Sequence, residues 1–149
     1  MQLFIGGACA GKRDVVSARF PEAAWCRLVP GSALPTLSEA LLSDSEAIEP
    51  KTWVLTGWLA WLQTALKACP DDDALRHVLA TELEGLSQFE RLGGPEIVLI
   101  VPEIGRGIVP MAAEDRRLRD LAGWLAQDAT RYAENTWYVR HGLVQALKG

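Results

Sequence analysis

The segment Gly6-Gly7-Ala8-Cys9-Ala10-Gly11-Lys12-Arg13 constrains this chain more than any other, because it ends an apolar start with two glycines and resumes with two cations. It matches the pattern G-x-x-x-x-G-K, then departs from it: a serine or threonine should follow the lysine, and Arg13 stands there. The parts of that pattern have separate physical duties. The glycines let the backbone turn its N–H groups toward a phosphate, the lysine reaches the β- and γ-phosphates, and the hydroxyl holds Mg²⁺. The first two parts survive here and the third does not. Met1 to Ile5 reads as a buried strand running into the loop, and Lys12 to Phe20 as a short helix leaving it. Lys12 and Arg13 place adjacent cations at that helix's N-terminus, where the dipole disfavours each by about a few tenths of a kcal/mol; Asp14 offsets part of this, and a bound anion would reverse it. The competing reading is a tight glycine turn with no ligand.

At 149 residues the chain has room for one domain with a proper core, residues 1–149, and is too short for two. A net charge of −4 argues against a nucleic-acid surface, while a small anionic ligand stays compatible with it, since a ring of N–H groups binds phosphate whatever the net charge. No apolar run approaches the length of a membrane span, and Leu3-Phe4-Ile5 is too short for a signal peptide. Cys9, Cys26 and Cys69 are odd in number and form no C-x-x-C pair, so reduced thiols in a cytoplasmic protein are expected. Trp58, Trp61, Trp124 and Trp137 sit in apolar-rich segments and are expected in the core.

Beyond the first strand and helix, Trp25 to Val29 and Thr52 to Leu55 read as strands, and Thr36 with Glu39 forms a capping box for a short helix to about Ser43. Trp58 to Cys69 has helical spacing. Asp71-Asp72-Asp73 reads as a solvated turn opening a helix from about Ala74 to Arg91. Ile97 to Val101 is the most apolar run and predicts a central parallel strand; a helix follows from Ala113 to about Glu134. Thr136 to Val139 and Leu143 to Leu147 predict an antiparallel pair turning at His141-Gly142. Strand–helix alternation predicts an α/β fold, with a mostly parallel sheet and helices on both faces. Pro30 to Pro50, holding three of the eight prolines, reads as an irregular surface excursion.

Glu103 and Gly105-Arg106-Gly107 follow the carboxyl end of the predicted central strand, where ligands sit in open α/β sheets. The alternatives are a solvated acid and a plain strand-to-helix turn. Arg119 and Asp120 could equally be a helix-surface salt bridge.

Glu103-Ile104-Gly105-Arg106-Gly107-Ile108-Val109-Pro110 resembles the N-E-V-G-x-G-I-V-P signature of the adenosylcobinamide kinase / adenosylcobinamide-phosphate guanylyltransferase family. Arg117 to Gly123 resembles that family's F-R-D-x-A-G, and Trp137 to Gly142 its final strand and turn. The glycine loop corresponds to G-G-A-R-S-G-K-S, with Gly6, Gly7, Ala8, Gly11 and Lys12 retained, and Val54 to Leu66 resembles its second apolar strand and helix. The resemblance implies a three-layer P-loop fold of the RecA-like kind. It implies ATP or GTP on Gly6 to Arg13, and γ-phosphoryl transfer to a corrinoid side-chain hydroxyl. Lys12 would neutralise the phosphoryl group, Glu103 would orient the hydroxyl or a metal-bound water, and Gly105, Arg106, Gly107, Arg119 and Asp120 would form a substrate or nucleotide loop. It also implies association into small rings.

The departures are as specific. The acidic residue that usually ends the strand before the tryptophan-rich helix is Thr56, leaving Thr56 and Asp14 as the candidates for holding Mg²⁺, and the usual asparagine before Glu103 is Pro102. The histidine that carries GMP in the guanylyl half-reaction has no counterpart between Trp25 and Thr52; His77 and His141 lie elsewhere and are expected to be structural or exposed. A kinase without guanylyltransferase activity is therefore the favoured expectation. The alternative is a non-catalytic nucleotide- or corrinoid-binding relative with a regulatory or scaffolding role.

Overall fold

The computed structural model describes residues 1–32, 50–105 and 107–149. The helix expected after Thr36 and the side chain of Arg106 lie outside the described residues. In chain order the elements are β1 (Gln2–Gly6), α1 (Lys12–Arg19), β2 (Ala24–Arg27), β3 (Thr52–Thr56), α2 (Trp58–Ala68), α3 (Asp72–Arg91), β4 (Glu96–Pro102), α4 (Ala113–Tyr132), β5 (Asn135–Arg140) and β6 (Leu143–Lys148). They build one sheet in the order β2-β3-β4-β1-β5-β6, parallel throughout except for the β5–β6 pair. This is the α/β fold expected, mostly parallel with an antiparallel C-terminal pair.

The strand pleat assigns alternate residues to the two faces. Leu3, Leu55, Ile97, Leu99 and Val101 pack with the apolar stripes of α2, α3 and α4, represented by Leu62, Leu83 and Leu125. Phe4, Val54, Val98, Ile100 and Val139 pack on the other face with Val16 of α1. Three layers result. β4 lies between β3 and β1, so Ile97 to Val101 is buried on both faces, and each such side chain contributes about 1.5–3 kcal/mol relative to an exposed one. That double burial is why this strand reads as a continuous apolar run.

α3 starts at Asp72, ahead of the expected Ala74, because Asp71 is its N-cap: Oδ1 accepts from the N–H of Asp73 at 3.0 Å and of Ala74 at 3.2 Å. Asp72 is also more than a solvated charge. It accepts from Arg117 Nε at 2.8 Å and Nη2 at 2.7 Å, while the same guanidinium donates to Leu66 O at 2.9 Å and Cys69 O at 2.8 Å. One side chain of α4 thus satisfies carbonyls at the end of α2 and a carboxylate in the first turn of α3. A second tie joins Arg76 of α3 to the buried Asp128 of α4 through two 3.0 Å bonds. Asp128 holds the Arg76 guanidinium above its ordinary pKa by hydrogen bonding, as Asp72 does for Arg117.

Trp58 and Trp61 are buried as expected, whereas Trp124 and Trp137 are half-buried. Each of the latter has a guanidinium over its ring, Arg76 at 5.2 Å from Trp124 and Arg19 at 4.4 Å from Trp137, so cations rather than apolar side chains cover part of these rings. No described helix is long and apolar enough to cross a membrane.

Among the described residues, Thr136 Oγ1 is a buried oxygen without a hydrogen-bond partner. Thr136→Val keeps the shape and the strand preference while removing that uncompensated hydroxyl. It should raise stability by about 1 kcal/mol, read as a higher midpoint in a urea melt. A lower midpoint would mean that the hydroxyl finds a partner in solution.

Candidate functional site

The glycine loop leaves β1 at the carboxyl edge of the sheet and enters α1 at Lys12. Gly11 is the N-cap of α1, with φ +92°, and no side chain caps the helix. The first turn of a helix has no intrahelical partners for its N–H groups, which leaves these donors for solvent or an anion. Cys9 also has a positive φ, +55°, and both Ala8 and Cys9 are exposed. The loop spans Gly7 to Gly11, with Ala10 N–H donating back to Gly7 O at 3.4 Å.

Two neighbours hold the loop in place. From β4, Glu103 N–H donates to Gly6 O at 2.8 Å, so the loop after β4 begins beside the glycine loop. From the β5–β6 turn, Gly142 N–H donates to Ala10 O at 2.9 Å. A Cβ on Gly11 would lie 3.1 Å from Gly142 Cα, and one on Gly6 would lie 2.3 Å from Val139 O. His141 and Gly142 both have positive φ, as a two-residue hairpin turn requires. The expected turn is therefore in place. Its contact with a loop more than a hundred residues earlier has no local signal in the sequence.

Lys12 Nζ donates to Gly6 O at 2.8 Å and Gly7 O at 2.5 Å, curling over the loop. Burial lowers its pKa below the ordinary 10.5, and the charges of Cys9 and Glu103 act in the opposite sense. Glu103 is thus close enough to be felt by the ammonium. Lys12 Nζ and the Glu103 N–H share Gly6 O as acceptor, so the head of α1 and the loop after β4 converge on this carbonyl.

The other expected residues divide. Gly105, φ +104°, lies against Arg119 so closely that a Cβ there would be 2.9 Å from Arg119 Nε, which brings the loop after β4 and the first half of α4 together. Asp120 is exposed on α4, where adjacent helix positions point apart. Gly107 is exposed with φ +108°, and the following Ile108, Val109 and Met111 are exposed too. His77 is exposed on α3 and His141 is exposed in the hairpin turn.

A magnesium ion in a P-loop is held by the hydroxyl after the lysine and by an acid at the end of a neighbouring strand. Here Arg13 turns its guanidinium over the half-buried Trp25 of β2, 5.2 Å from the ring centroid. Thr56 is a buried neutral side chain at the end of β3, and Asp14 is exposed on the first turn of α1. Among the described residues no group of three or more His, Cys, Asp or Glu side chains could hold a metal ion. The two side chains that hold magnesium in such a loop, a hydroxyl at position 13 and a carboxylate at position 56, are both replaced.

Residues 34–147 match the family described as cobinamide kinase / cobinamide phosphate guanyltransferase. The chain belongs to this family. Among curated proteins it is 37% identical over 95 residues to the bifunctional adenosylcobalamin biosynthesis protein CobP of Pseudomonas aeruginosa, covering 64% of this chain and 50% of that protein. It is 30% identical over 78 residues to the corresponding protein CobU of Escherichia coli, covering 52% of this chain and 43% of that one. The chain spans about half the length of the curated relatives it matches. The family match begins at residue 34, after the glycine loop, so the role of Gly6 to Arg13 rests on the loop's own residues and geometry.

Proposed function

We propose that the chain binds a nucleoside triphosphate, ATP or GTP, on Gly6 to Arg13 and transfers its γ-phosphoryl group to a side-chain hydroxyl of a corrinoid. The observation that carries this reading is the convergence of the Lys12 ammonium and the Glu103 backbone on Gly6 O, beside the glycine loop. The hydroxyl oxygen attacks the γ-phosphorus and the bond to the β–γ bridging oxygen breaks. The hydroxyl proton passes to the Glu103 carboxylate and then to water, and the nucleoside diphosphate leaves. Lys12 stabilises the charge on the transferring group, and the open N–H groups at the start of α1 cradle the phosphates. Arg119, packed on Gly105, with Gly107 beyond it, offers a rim for the acceptor; Arg106 and Asp120 are the further candidates for this rim. The protein would work in the cytoplasm and associate into small rings.

Guanylyl transfer is absent from this reading, because the segment between β2 and β3 holds no histidine to carry GMP. A second reading, a non-catalytic nucleotide- or corrinoid-binding relative, is favoured by Arg13 and Thr56 standing where the metal-holding side chains belong. The test is incubation with adenosylcobinamide and terminally labelled ATP or GTP, beside GTP labelled at the α-phosphate. Phosphorylated corrinoid with no acid-labile label on the protein is the expected result. No turnover with either nucleotide would leave the binding relative in place of the kinase. A phosphoramidate on His77 or His141 would overturn the loss of guanylyl transfer.

A further inference from the structure

We infer that Arg13, held by the indole of Trp25, supplies the positive charge that a metal ion brings to a glycine loop of this kind, so that nucleotide binds here without magnesium. The inference rests on the nucleotide-binding reading of the loop and adds to it a counter-charge and a positioning residue. Three observations lead to it. Position 13 is the second residue of α1, beside Lys12, and is where the pattern calls for the metal-holding hydroxyl. Its guanidinium is not adrift: it sits over Trp25, and Trp25 pairs in register with Val54 on the strand that ends at Thr56, as Arg27 does with Thr56 itself. Arg13 therefore lies against β2, next to the strand from whose end an acid would reach a metal, and that acid is missing.

The two departures compensate in charge. A serine, an aspartate and Mg²⁺ together carry one net positive charge, as do Arg13 and Thr56 without any ion. A carboxylate kept at position 56 would draw the guanidinium away from the phosphates. Arginine suits the role because it stays charged at any working pH and its planar donors match phosphate oxygens. An aromatic face restrains that plane without consuming its N–H donors. Trp25 is accordingly a positioning residue, acting on phosphate through Arg13.

The experiment is calorimetric titration of the full chain with a non-hydrolysable ATP or GTP analogue, with magnesium and again with excess EDTA. Wild type should bind in both conditions with affinities within about threefold of each other. Arg13→Ser should lose more than about tenfold in EDTA and recover with magnesium, the restored hydroxyl making binding metal-dependent. Trp25→Leu should weaken binding in EDTA by about threefold or more while Trp25→Phe retains it, because phenylalanine keeps an aromatic face for the guanidinium and leucine does not. Wild-type binding with magnesium that collapses in EDTA would overturn the inference and leave the nucleotide-binding reading standing. Absence of binding in both conditions would remove that reading, and the inference with it.

Discussion

Replacing Lys12 by alanine should lower the affinity for a nucleoside triphosphate by more than about tenfold, since a charge-assisted contact to phosphate is lost at a partly buried position. Nζ donates to Gly6 O and Gly7 O, so phosphate binding exchanges two carbonyl acceptors for charged phosphate oxygens. The same exchange sets a pH dependence. Burial lowers the Lys12 pKa from its ordinary value, so the ammonium discharges at lower pH than an exposed lysine does. Phosphate favours the charged form, so affinity is full below the Lys12 pKa and falls as pH rises through it. Stability runs the other way. The folded chain holds this proton less tightly than the unfolded chain, so the cost of burying the charge is present below the folded pKa and is relieved as pH rises toward the unfolded value. Calorimetry across an alkaline pH series reads both variants. Equal affinity of wild type and Lys12→Ala, or an alkaline limb that persists in the variant, would remove Lys12 from the site.

Gly6→Ala should destabilise the fold by about 1–3 kcal/mol and weaken nucleotide binding with it. The added Cβ would stand 2.3 Å from Val139 O and 3.3 Å from Val139 C, atoms of β5 backbone that cannot rotate aside. β1 and β5 pair from Gln2–Asn135 to Ile5–Tyr138, so relief requires the strand ends to part at the mouth of the loop. Gly7→Ala is the matched control, because nothing lies within 4 Å of its Cβ position. Thermal melting should show a clear drop for the first variant and little for the second. Equal midpoints would mean that the loop is not seated against β5 as described.

The α/β class, the central strand, the C-terminal hairpin and the glycine loop were all legible in the sequence, because each is written in local pattern. Ile97 to Val101 is apolar at every position since β4 is covered on both faces, and the loop is marked by Gly6 and Gly11, which the closely packed β5 and its turn demand. Lys12 was readable from spacing alone, being one residue past Gly11 at the head of a helix. Even the start of α3 was misjudged by only two residues, because an aspartate can cap a helix or ride in its first turn with the same local chemistry.

What joins distant parts of the chain was decided only by the tertiary structure. Arg117 enters the sequence reading only as the start of a family-like segment, yet it binds Leu66, Cys69 and Asp72 because α4 crosses the junction of α2 and α3. Asp128, an acid on an otherwise amphipathic helix, is buried because Arg76 reaches it from α3 with two hydrogen bonds. The seat of Gly142 on Ala10, the proximity of Glu103 to Lys12 and the lodging of Arg13 on Trp25 are of the same kind. Local propensity and periodicity act over a few residues and set the elements. Which charges meet across those elements depends on the order of strands in the sheet, and that order follows from burying two faces at once rather than from any single segment.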